Sequence, residues 1–347
     1  MRRSAYFSRI ALILAAGFIY SLGAAQRPPD TLPAQYSDTE FWKLVTDFSE
    51  RGGSFPYENF VSNERDYQIV LPDVKSRIQP GGVYLGVAPE QNFTYIAAIR
   101  PKIAFIFDIR RQNLIELLMY KALFEMAADR TEFASRLFSR RVPSVPGRTP
   151  SATELMNTIN SAKPDAQFYA DTLQAIRSRL VQQHQFPLSN DDLGKIEYIF
   201  KVFYQGGPRM DYSYASASPN ASVPSFHNLM VATDRRGKNW AFLADDENYR
   251  FVRAMHQKNL IIPIVGDFAG PKAIRAVAQY LKDHKASVSV FYISNVEDYL
   301  QSSWSNWLSN LAALPVEPSG LFIRFAPQNT YLRGIKDAPA RWPGRTW

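Results

Sequence analysis

Gly86 and Asp108 carry the chemistry that this chain most plainly offers. The apolar run Val83-Tyr84-Leu85 leads into Gly86. A second apolar run, Ile103 to Phe107, ends on Asp108 about twenty residues further on. Glycine lets backbone approach a ligand closely, because nothing projects from its Cα. A carboxylate closing the neighbouring strand accepts two hydrogen bonds from a ribose diol, which a neutral side chain does not match. Strand, glycine turn, helix, strand and acid in this order put a nucleotide-sized ligand at the carboxyl ends of two adjacent strands. Plainer roles compete with this one. Gly86 serves a tight turn equally well, and Asp108 can cap the helix that starts near Arg110.

Other chemistries are poorly served. The four histidines, His184, His227, His256 and His284, lie far apart with no metal-ligand spacing. Cysteine is absent, which removes disulfides, thiol nucleophiles, thiolate metal sites and a lipoprotein anchor. No nucleophile elbow, P-loop or paired glycosidase carboxylates are visible. The net charge is +8, but the basic residues are scattered, with only short pairs such as Arg110-Arg111, Arg140-Arg141 and Arg235-Arg236. A nucleic-acid binder concentrates such charge in a stripe, so nucleic acid is not an expected partner. Arg110 and Arg111 either contact an anionic substrate or divide between solvent and a salt bridge. Trp304 and Trp307, three apart on one helical face, read as core rather than as a membrane contact.

The elements that must position these residues follow from hydrophobic patterning. Arg2, Arg3 and Arg9, the apolar run Ile10 to Leu22 and Gly23-Ala24-Ala25 have the order of a signal peptide, or of a signal anchor if uncleaved. Export to the periplasm, or attachment to the inner membrane through that segment alone, is therefore expected; a non-functional signal would leave the protein cytoplasmic. Residues 26–36 read as a linker and 37–347 as one domain. Ser37 and Glu40 form a capping box ahead of a helix with Phe41, Leu44, Val45 and Phe48 on one face, stopped by Gly52-Gly53. Residues 55–80 look irregular, with a short strand or helical turn at Tyr67 to Leu71. Apolar strands are predicted over 83–87, 103–107, 260–265, 288–293 and 320–325, interleaved with helices. The last predicted helix runs from Val296 to Leu314. A helical insertion over about 129–225 separates strands two and three, and residues 206–224 read as a long loop. The fold class is α/β, with a mostly parallel, doubly wound, Rossmann-like sheet.

Three stretches are specific beyond patterning. Val83 through Tyr95, Phe107 through Asn113, and Tyr292 through Leu300 resemble a family of uncharacterised bacterial proteins with a fold like class I S-adenosylmethionine-dependent methyltransferases. The resemblance spans roughly Phe41 to Phe325. It implies S-adenosylmethionine, or a related adenosyl ligand, as cofactor. Gly86 and the second small position Ala88 would then face its methionine part, the methyl of Ala88 being tolerable only at negative φ. Glu90, Gln91 and Asn92 would line the pocket, while Asp108 with neighbouring Ile109 holds the ribose. Asp267 matches an acid placed near the adenine amino group and Phe268 a ring cover, against a plain turn between Gly266 and Gly270. Ser294-Asn295 falls where related enzymes orient a methyl acceptor, which makes Asn295 and Tyr299 the catalytic candidates, although Asn295 can equally cap the helix after it.

The resemblance implies methyl transfer to an unknown acceptor by in-line displacement, with no evident general base. A secretory signal conflicts with this, because it removes the protein from the compartment where S-adenosylmethionine is made. The alternative is an exported, non-enzymatic binding or interaction protein on a degenerate methyltransferase scaffold.

Overall fold

The computed structural model describes residues 29–145, 147–214, 223–326 and 329–344. The expected signal segment 1–25, the start of the linker and residues 215–222 of the expected loop lie outside these. Among the described residues, no helix is long and apolar enough to cross a membrane.

The protein is a mixed α/β structure around a six-stranded, mostly parallel sheet of order β3-β2-β1-β4-β5-β6. The strands are β1 Val83–Val87, β2 Ile103–Asp108, β3 Ile261–Val265, β4 Val288–Ser294, β5 Val316–Ala326 and β6 Asn329–Gly334. Every residue of β1, β2 and β3 is buried, which explains their unbroken apolar runs. Pro263 sits in β3, an edge strand, where a residue without an N–H is tolerated. Successive strands move outward from β1 through β2 to β3, and the chain then returns to lay β4 on the other side of β1. That reversal puts the carboxyl ends of β1, β2 and β4 side by side.

Helix α1, Asp38–Phe48, begins with the expected capping box of Ser37 and Glu40 and buries Phe41, Val45 and Phe48. It ends at Ser49, before Gly52-Gly53. The irregular stretch before β1 contains α2, Leu71–Arg77, rather than a strand. Helix α3, Gln91–Ile99, links β1 to β2. Between β2 and β3 the chain is almost wholly helical: α4 Arg111–Met126, α5 Arg130–Leu137, α6 Ala152–Ser161, α7 Ala166–Arg177, α8 Asn190–Gly206, α9 Phe226–Val231 and α10 Asp246–Gln257. Helix α4 is buried along nearly all its length because α5, α8 and α10 pack around it.

Two local expectations change. The sheet has a sixth, antiparallel strand, β6, missed because Asn329–Gly334 is largely polar and returns beside β5 at the sheet's edge. The helix expected from Val296 to Leu314 breaks into two 3-10 turns, Val296–Tyr299 and Gln301–Ser303, before α12 Trp304–Ala313; α11, Ala273–Asp283, precedes β4. Glu297 is drawn inward there to pair with Arg324 at 2.9 Å and Arg333 at 2.7 Å, which the straight helix did not anticipate. Helix α7 passes into a π-turn over Ser178–Gln183.

Candidate functional site

The β1–α3 turn is built around Asn92. Its fully buried amide donates to the carbonyls of Val87 at 2.9 Å, Ala88 at 3.1 Å and Pro89 at 2.7 Å. Its Oδ1 accepts from the Tyr84 hydroxyl at 2.8 Å. A β-carbon on Gly86 would lie 1.9 Å from Asn92 Oδ1. Gly86 therefore does admit a close approach, but the group that approaches is Asn92. Ala88 has φ +64°, so the expectation of a negative φ fails. Left-handed backbone at a residue with a Cβ costs roughly 1–2 kcal/mol. The Asn92 amide under three successive carbonyls holds the turn in that conformation.

Asp108 closes β2 as expected, and its carboxylate is fully engaged. Oδ1 accepts from Arg110 N at 2.8 Å and Nε at 3.0 Å, and Oδ2 accepts from Arg110 Nη2 at 2.8 Å. The same guanidinium donates through Nη1 to the carbonyls of Tyr57 at 2.8 Å and Glu58 at 2.7 Å, and through Nη2 to Asn59 Oδ1. Phe55 lies under it. Burial opposes the charge on Arg110, but Asp108 outweighs it and keeps the guanidinium's pKa above its ordinary value. Arg111 turns the other way, into a bidentate pair with Asp192 at the start of α8. Gly53 donates to the Ile109 carbonyl at 2.7 Å, and a β-carbon there would lie 2.7 Å from the Ile109 side chain. Residues 52–64 thus form a strap fastened across the ends of β1 and β2.

A set of buried acids lies at the end of the strap and beyond it. Glu64 is fully buried; its Oε1 accepts from Tyr292 and Ser294 hydroxyls at 2.6 Å each and its Oε2 from Gln91 Nε2 at 3.1 Å. Burial pushes its pKa up to about 7 against these hydrogen bonds. Glu90, also fully buried, takes the Ser62 N–H at 3.3 Å, and burial pushes it up to about 8. Burial raises Glu116 of α4 well above the usual carboxylate range, and the charge of Glu90 adds to the effect.

The expected site residues divide by position. Gly86, Ala88, Glu90, Gln91, Asn92, Asp108 and Ile109 are brought together at the ends of β1 and β2. Tyr299, half exposed, meets Phe55 of the strap edge-on at 5.6 Å, and Asn295 at the end of β4 accepts from Ser294 Oγ at 3.4 Å. The Asn295 side chain caps nothing. Asp267 adopts the plain turn role, its Oδ1 accepting from Ala269 N at 2.9 Å while Glu50 takes its backbone N–H at 2.7 Å. Phe268 is a core ring, 3% exposed and stacked on Trp307 at 5.2 Å, so it covers no open face. A cavity of about 550 Å³ lies elsewhere, lined by Asp129, Arg130, Thr149 and Asp246 among others, and includes none of these residues. Among the described residues no group of three or more His, Cys, Asp or Glu is placed to hold a metal ion. Sequence reasoning overlooked Glu64 and Glu116; a charged residue inside an otherwise apolar helix, as in Leu114-Ile115-Glu116-Leu117-Leu118, was the available signal.

Residues 59–343 match the family model described as a domain of unknown function, DUF7790. The chain belongs to that family. The matched span begins within the strap and runs past β6, so the family's domain contains the whole sheet, the buried acids and the helices between β2 and β3. A comparison with curated proteins returns no match.

Proposed function

We propose that this is a non-enzymatic binding or interaction protein on a methyltransferase-like α/β scaffold, in which the chain itself occupies the place of an adenosine ligand. One observation carries the reading: Arg110 takes both carboxylate oxygens of Asp108. A ribose diol would have to displace a buried, charge-assisted, bidentate pair and strand a guanidinium in the interior. Asn92, filling the space over Gly86, supports the same conclusion from the adjacent strand. The methyltransferase-like part of the reading is supported by the reversal of strand order between β1 and β4, the position at which open α/β sheets hold ligands. Export through the N-terminal segment agrees with a role that does not consume S-adenosylmethionine.

A second reading retains S-adenosylmethionine-dependent methyl transfer, favoured by an acid at the end of β2 beside that reversal. It requires Arg110 to leave Asp108 and the strap to lift, with Asn295 and Tyr299 near the acceptor. Calorimetry of the purified protein with S-adenosylmethionine and S-adenosylhomocysteine separates the two. No heat is expected with either. A saturable heat that Asp108→Ala weakens by about 1.5–3 kcal/mol, the range for hydrogen bonds to a charged group, establishes the second reading instead.

A further inference from the structure

Several buried side chains on α4 and at the start of α3 have polar atoms with no protein partner. They are Oε2 of Glu90, both amide atoms of Asn113, Oε1 of Glu116 and the hydroxyl of Tyr120. All four residues are at most 2% exposed. Asn113, Glu116 and Tyr120 stand at positions i, i+3 and i+7 of α4 and share one face of that helix. Glu90 begins α3 one turn before Phe93, whose ring meets Tyr120 edge-on at 5.2 Å. The Phe93–Tyr120 contact thus brings the first turn of α3 against the face of α4 that carries Asn113, Glu116 and Tyr120. Buried polar atoms in a folded protein are nearly always satisfied, and five orphans gathered in one place mark an occupant.

We infer that Glu90, Asn113, Glu116 and Tyr120 form an internal binding site for a small organic cation bearing a primary ammonium group. The unpartnered set is all oxygen save the Asn113 nitrogen, and acceptors predominate over donors. An ammonium supplies three N–H donors in a compact head, which suits two carboxylates and an amide oxygen. Arg110 is committed to Asp108 and the strap, and Arg111 to Asp192. Burial raises the pKa of both acids, and a neighbouring ammonium opposes that shift. The Ser62 N–H on Glu90 Oε1 makes the strap the roof, so entry passes beneath residues 58–64. This deepens the binding reading given above and names a ligand class for it.

The test is thermal unfolding of the full protein in methylammonium chloride against tetramethylammonium chloride and sodium chloride at equal ionic strength. Methylammonium is expected to raise Tm with concentration, as a ligand of the folded state must, while the other two salts do not. Glu116→Gln and Glu90→Gln keep the shape of the site, and each is expected to weaken the response by about tenfold, the loss of one charged hydrogen bond. An unchanged response in both variants, or an equal rise with tetramethylammonium, overturns the site. So does no response at all, which assigns the orphans to ordered water only. Heat with S-adenosylmethionine that Glu116→Gln leaves intact would refute the earlier reading without touching this one.

Discussion

Arg110 grips Asp108 through its backbone N–H and two guanidinium nitrogens, and with the rest of the same guanidinium holds the carbonyls of Tyr57 and Glu58. One side chain therefore ties the end of β2 to a strap more than fifty positions earlier in the chain. The pair is buried, with side-chain exposures of 8% and 7%, so solvent does little to weaken it.

Replacing Arg110 tests that tie. Arg110→Ala leaves the Asp108 charge buried without a partner, which is expected to cost about 3–5 kcal/mol in chemical denaturation. Amide exchange over residues 54–62 should quicken far more than exchange in β2. Equal protection of the strap in both proteins would show that something other than Arg110 fastens it.

Gly86 reports on whether the crevice is filled. An added methyl meets Asn92 Oδ1 at 1.9 Å and Tyr84 Cε1 at 2.8 Å, both fully buried. Gly86→Ala is expected to destabilise by about 1–3 kcal/mol, the range for overpacking a filled space. Denaturant midpoints of the two proteins measure it, and a neutral substitution would mean that Asn92 yields easily.

Glu64 makes stability depend on pH. Its pKa rises from an ordinary 4.5 to about 7 on folding, because the buried carboxyl resists ionisation. The folded state thus holds this proton more tightly than the unfolded chain. Its contribution is full below the unfolded value and is lost as pH rises through about 7. Glu64→Gln keeps a neutral group among Tyr292, Ser294 and Gln91, so it is expected to remove that part of the decline. Urea midpoints from pH 4 to 8.5 for both proteins check it; parallel curves would exclude Glu64 as the source.

Much of the scaffold was legible in the residues alone. The runs that became β1 to β4 are apolar because they are covered on both faces, and periodicity reports burial directly. The capping box at Ser37 and Glu40 is local chemistry, complete within four residues. The strand-ending acid at Asp108 and the glycine at Gly86 were found at their positions for the same reason. Strand β6 escaped because an edge strand needs only a neighbour's backbone, which leaves no apolar mark on Asn329–Gly334.

What those positions do was decided elsewhere in the chain. Local patterning suffices for an alternating α/β sheet and for the polar residues at its carboxyl edge. Long-range folding makes Arg110 close on Asp108, sets Asn92 in the space above Gly86, and buries Glu64, Glu90 and Glu116. A charged residue's burial depends on which distant groups fold over it, and local sequence carries no record of that covering.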